Sequence, residues 1–88
     1  MKGRNMNETI RSLLAKVGGL STSVEAISDE ADLYAAGLSS FASVQLMLGL
    51  EEAFDLEFPD HLLNRKSFAS IAAIETTLST ILEDRKVA

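Results

Sequence analysis

Cysteine is absent from this 88-residue chain. That excludes disulfides and thiolate metal sites, so any thiol chemistry must come from an attached group. Proline occurs once and tryptophan not at all, while 47% of the residues are hydrophobic, a composition that favours folding over disorder. No apolar run approaches the roughly 20 residues needed to span a bilayer. The opening Met1-Lys2-Gly3-Arg4-Asn5 has two bases but no apolar stretch behind it, so it does not read as a secretory signal. The cytoplasm is the expected location. The length suits a single domain, 1–88 with its core at about 7–84, too small for an elaborate enzyme pocket.

Positive charge is missing from the middle of the chain. Between Lys16 and Arg65 there is no Lys or Arg, while Glu25, Asp29, Glu30, Asp32, Glu51, Glu52, Asp55, Glu57 and Asp60 supply nine acids. All eight bases lie in the two flanks, and the formal net charge is −5. Such a segment repels nucleic acid and attracts basic partner surfaces, chiefly by speeding encounter. A solvated acidic surface that aids solubility is the plainer alternative.

What is present reads as helix. Asn7-Glu8-Thr9 opens a first helix with Asn7 as its expected cap, and Ile10, Leu13, Leu14 and Val17 form one stripe. Gly18-Gly19 stops it. From Leu20 to Leu38 no period is sustained, and Val24, Ile27, Leu33 and Tyr34 are candidate anchors for a long loop. Pro59-Asp60 suits the first turn of a short third helix containing Leu62 and Leu63. Asn64-Arg65-Lys66-Ser67 is a polar connector, and Ser70 caps a last helix with Ile71, Ile74, Leu78, Ile81 and Leu82 on one face. Arg85-Lys86 suit its C-terminal end. The expectation is an all-α four-helix bundle, three longer helices plus a short third, with a long loop between the first two.

The stretch from Gly37 to Phe54 organises the rest. A turn glycine precedes Ser39-Ser40, and a long apolar run follows. Ser39 reads as the N-cap and Ser40 as a first-turn residue, its hydroxyl beside unpaired N–H groups at the positive end of the helix dipole. A phosphate held there is stabilised on both counts. The helix is apolar on two faces: Leu46, Leu50 and Phe54 with Ser43 and Met47, and Phe41, Val44 and Leu48. A second apolar face is either buried or offered to a partner.

Enzymatic readings find little support. A serine nucleophile needs a base within hydrogen-bond reach. The only histidine, His61, reads as an exposed polar residue, and no G-x-S-x-G elbow is present. Asp55-x-Glu57-x-x-Asp60 and Asp29-Glu30-x-Asp32 lack EF-hand spacing and its central glycine. No catalytic residue and no metal ligand is assigned. An unmodified helical interaction domain is the non-enzymatic alternative, but it leaves the serine behind its glycine turn unexplained.

The spaced array from about Asp29 to Leu82 resembles the acyl carrier protein family. It runs through Asp32-Leu33, Gly37-Leu38, Val44, Leu46, Leu50-Glu51-Glu52, Phe54, Phe58-Pro59-Asp60 and Phe68-x-Ser70-Ile71, against the pattern G-x-D-S-L-x-x-V-x-L-x-x-x-L-E-x-x-F. The resemblance implies covalent 4′-phosphopantetheine, transferred from coenzyme A to Ser40 by a phosphopantetheinyl transferase, with cargo held as a thioester. It places Ser39 beside the phosphate region and makes Phe41, Val44, Leu48, Glu51 and Glu52 the partner-binding candidates. The implied partners are a loading ligase and acyl-transferring enzymes with basic docking surfaces, and a monomer is expected. Two departures stand out: Ser39 replaces the family's aspartate, and Ala42 and Gln45 replace its following acids. These imply a specialised carrier with its own partners. An acyl cargo, in fatty-acid, lipid or secondary-metabolite synthesis, is placed first. An amino acid from a stand-alone ligase comes second, because the run from Gly37 to Val44 is similar to bacterial carriers of that kind. Met47 and Leu46 are the candidate lining for a sheltered lipophilic cargo.

Overall fold

Asn5 starts the first helix, α1 (Met6–Val17): its side-chain oxygen accepts a hydrogen bond from the Glu8 amide at 2.8 Å. The computed structural model describes residues 5–87, with side chains to Asp84, so Met1-Lys2-Gly3-Arg4 and the Arg85-Lys86 side chains lie outside the described residues. Asn7 is not the cap. It sits inside α1 because distant groups claim its side chain: Nδ2 donates to Asp29 Oδ1 at 3.0 Å and to Glu75 Oε2 at 2.8 Å. Ile10 and Leu14 are fully buried, with Leu13 and Val17 packed at the edge of the core. Gly18 ends the helix, its amide donating to the Leu14 carbonyl.

The loop that follows is a chain of fixed turns. Ile27, Leu33 and Leu38 are buried, and Val24 and Tyr34 pack partly against the core. Arg11 holds the loop from the α1 side: its guanidinium donates to the Val24 carbonyl, to the Ile27 carbonyl at 2.8 Å and to Asp29 at 2.7 Å. The Leu33 amide donates to Ala69 O at 2.8 Å, and the Asp29 carbonyl accepts from Ala72 N at 2.9 Å, tying the loop to the start of the last helix. Gly37 has φ +119°, and a Cβ there would lie 2.6 Å from the Gly19 carbonyl oxygen. Only glycine tolerates both the dihedral and the contact.

The second helix, α2 (Ser40–Phe54), buries Ala42, Leu46 and Leu50. Gly49 faces α1, where a Cβ would come within 3.1 Å of a Leu13 methyl, so its small size permits this close approach. Asp55 turns the chain with φ +53°, and the Glu51 carboxylate accepts from the Phe58 amide at 3.0 Å. The expected short third helix is absent. In its place stand two 3₁₀ turns, Asp60–Leu62 and Arg65–Phe68. Pro59 precedes the first of them as its cap residue rather than lying in its first turn. Leu63 and Asn64 leave helical dihedrals, and the Asn64 side chain accepts from Ser67 N at 3.0 Å, which restarts the turn instead of extending it. Phe58 and Phe68 pack beneath at 5.3 Å between ring centroids.

The last helix, α3 (Ile71–Val87), begins as expected at Ser70, whose hydroxyl accepts from Ala73 N at 3.0 Å. Ile71, Ile74, Leu78 and Ile81 line its buried face. The described residues thus form an all-helical fold of three α-helices and two 3₁₀ turns, without strands. Among them, no helix is long and apolar enough to cross a membrane.

Candidate functional site

Ser39 and Ser40 separate into two roles at the start of α2. Ser39 is extended (φ −82°, ψ 166°), and its hydroxyl accepts from the Ala42 amide at 3.0 Å. That side chain is spent on capping. Ser40 is the first helical residue and is exposed, and its hydroxyl has no hydrogen bond among the described residues. Helix geometry leaves the amides of Ser40 and Phe41 without intrahelical acceptors. The first turn carries no acid, so nothing there offsets the positive end of the helix dipole. A phosphate joined to Ser40 Oγ therefore fits: the oxygen is reachable, free donors lie beside it and no local anion opposes it.

A groove of about 360 Å³ opens beside Ser40. Ser43, Val44 and Met47 continue its α2 wall, while Tyr34, Leu63 and Arg65 line the side formed by the loop and the turns. The Arg65 guanidinium lies 3.8 Å from the Tyr34 ring centroid, and the Tyr34 hydroxyl donates to the Arg65 carbonyl at 3.1 Å. Burial raises the Tyr34 pKa above its ordinary value, Arg65 opposes that shift, and Asp32 adds to it. Asp32 also orders the turn, its carboxylate accepting from Tyr34 N at 2.9 Å.

The outward face of α2 is apolar near Ser40 and acidic farther on. Phe41 is 75% exposed, and Val44 and Leu48 are each 51% exposed, so this stripe takes no part in the core. Glu52 is exposed, roughly 18 Å along the axis from Ser40 at about 1.5 Å per residue. Glu51 is half-buried, with one carboxylate oxygen committed to the Phe58 amide. Met47 lines the groove, but Leu46 is fully buried and points into the core. His61 is exposed on the first 3₁₀ turn. The pairing of Tyr34 with Arg65 was not visible from spacing, since 31 residues separate them. The only pointer in the sequence is that Arg65 is the first base after a long stretch with none.

The family described as "Phosphopantetheine attachment site" matches residues 8–78. An aminoacyl carrier protein of Agrobacterium fabrum is 72% identical over 83 residues, spanning 94% of this chain and 100% of that protein. Among solved structures, similarity extends to a crystal structure of an engineered Bradyrhizobium japonicum glycine:[carrier protein] ligase complexed with a carrier protein from Agrobacterium tumefaciens and ATP. That match has a TM-score of 0.84 at 75% identity and covers 88% of this chain and 100% of the other. A second is the Bradyrhizobium japonicum ligase complexed with a glycylated carrier protein, with a TM-score of 0.71 at 26% identity, covering 82% and 96%.

Proposed function

Because the chain belongs to the phosphopantetheine attachment-site family, whose members bear covalent 4′-phosphopantetheine and are carriers rather than catalysts, we propose that it is an aminoacyl carrier modified at Ser40. The observation that carries the site is the division of labour at the start of α2, where Ser39 caps and Ser40 stays exposed. When attached, the arm supplies the thiol that this cysteine-free chain lacks, and a cargo is held there as a thioester. The chain's own part is to fix the attachment point and present a docking face. Tethering keeps the cargo at high effective concentration, on the order of millimolar for a short flexible link, as it meets partner sites.

The cargo reading follows the 72% identical aminoacyl carrier, which favours an amino acid over the acyl chain placed first from sequence. The surface agrees with a specialised partner. The α2 start lacks acids and shows Phe41, Val44 and Leu48, so we assign docking of a loading ligase to apolar contact there. Glu52 and the committed Glu51 add negative charge toward the far end. The unmodified interaction domain is set aside, since it assigns no role to the prosthetic group that the family carries.

Intact mass tests both parts. Treatment with coenzyme A and a broad phosphopantetheinyl transferase is expected to give a phosphopantetheine adduct on wild type and Ser39→Ala, and none on Ser40→Ala. ATP, glycine and a glycine:carrier protein ligase are then expected to add one aminoacyl mass to the holo protein. An adduct lost in Ser39→Ala but kept in Ser40→Ala would move the site by one residue. Loading by an acyl ligase but by no amino acid ligase would restore the acyl cargo.

A further inference from the structure

The groove beside Ser40 carries polar side chains whose hydrogen bonds are nearly all committed. The Ser43 hydroxyl donates to the Ser40 carbonyl at 2.8 Å. The Asn64 amide is used at both ends, donating to His61 O at 3.1 Å and accepting from Ser67 N at 3.0 Å. The Tyr34 hydroxyl donates to the Arg65 carbonyl. What is left besides the Ser40 hydroxyl is Arg65, among the described residues the only charged one lining the groove. Among the described residues its guanidinium has no carboxylate partner and lies against the Tyr34 ring. A guanidinium stacked on an aromatic face keeps its planar fork of N–H donors available at the edge, and that fork matches phosphate oxygens.

The geometry points to Arg65, held on the Tyr34 ring, as the seat for the phosphodiester that joins the arm to Ser40, and to the groove as the resting place of the near end of that arm. The inference rests on the assignment of Ser40 as the attachment residue. Charge argues for this occupant. In a chain of net charge −5, a cation without an acidic partner among the described residues stands in the same groove as the serine that would gain a phosphate. The groove lining holds no carboxylate to receive the free ammonium of an aminoacyl cargo, which argues against the groove as its shelter. The arm is thus held near its root while the loaded end stays outside, available to a partner.

The holo protein offers two readouts. The arm contributes the phosphodiester phosphorus, observable by 31P NMR, and Tyr34 is the sole tyrosine in a chain without tryptophan, so intrinsic fluorescence reports on that ring alone. Wild type, Arg65→Gln and Arg65→Lys are first shown by mass to carry the arm and by circular dichroism to keep their helicity. In wild type, attaching the arm is expected to change Tyr34 emission. In Arg65→Gln that change is lost, and the 31P resonance shifts and narrows as the phosphate becomes mobile. Arg65→Lys, which keeps the charge but loses the fork, falls between. Identical 31P lines in wild type and Arg65→Gln, or an equal emission change in both, would overturn the seat while leaving Ser40 modification intact. No adduct on Ser40 would remove the seat and the functional assignment together.

Discussion

Two connections frame α2, and they differ in what is added to burial. The first, residues 18–39, buries Ile27, Leu33 and Leu38 and is further fixed by polar and backbone contacts. Arg11 and Asn7 grip it from α1, Leu33 and Asp29 join it to Ala69 and Ala72, and Gly37 abuts Gly19. The second, residues 55–70, is held mainly by burial of Leu56, Phe58 and Phe68, with side-chain caps from Glu51 and Asn64. The difference follows from what each must do. The first delivers Ser39 and Ser40 in one orientation, which directional hydrogen bonds can impose. The second supplies a groove wall, for which non-directional apolar packing is sufficient.

The largest effect that would break this contrast is expected at Phe58. Phe58→Ala removes a buried ring packed against Phe68 and is expected to cost about 4 kcal/mol, measured as a shift in urea unfolding. Amide chemical shifts should then change around residues 56–68 and leave Ser39–Ala42 in place. Next comes Gly37→Ala, expected to cost about 3 kcal/mol through its positive φ and the clash with Gly19 O. Here the disturbance should reach Ser39 and Ser40, and slower phosphopantetheine transfer measured by mass would register it. If Phe58→Ala moved the serines as much as Gly37→Ala, the two connections would not be independent.

The smallest effect sharpens the polar side of the comparison. Hydrogen bonds from Asn7 and then Arg11 hold the Asp29 carboxyl below its ordinary pKa of 3.8. A lowered folded value means that the contribution is fully present above about pH 4 and is lost as pH falls through the folded value. Asp29→Asn is therefore expected to be less stable than wild type at neutral pH, with the gap closing in acid. Unfolding midpoints for both proteins at pH 7 and pH 3 check this, and a constant gap would show that the ion pair contributes nothing through its charge.

The features legible in the sequence were those written in neighbouring residues. Ser39 and Ser70 cap helices as their positions indicate, because a capping oxygen reaches only two or three residues ahead. The apolar stripes of α1 and α3 and the exposed face of α2 follow from helical period in the same way. What failed was set by distant partners. Asn7 and Asn5 are both good caps locally, and the choice falls to Asn5 because Asp29 and Glu75 engage Asn7. The expected third helix became two 3₁₀ turns because the Asn64 side chain competes for the backbone between them. The loop from Leu20 to Leu38 shows no period, since its order comes from distant groups: the Arg11 guanidinium and the Ala72 amide donate to its carbonyls, and the Ala69 carbonyl accepts from Leu33 N.

The two-sidedness of α2 has a practical outcome for anyone wishing to redirect the protein. Ala42, Leu46 and Leu50 secure the fold, whereas Phe41, Val44 and Leu48 do not contribute to its interior. Because the two sets interleave along one rod without sharing a member, the outward trio can be rewritten as a cassette. A library over those three positions could then be selected for allegiance to a new loading enzyme, without a stability penalty confounding the winners.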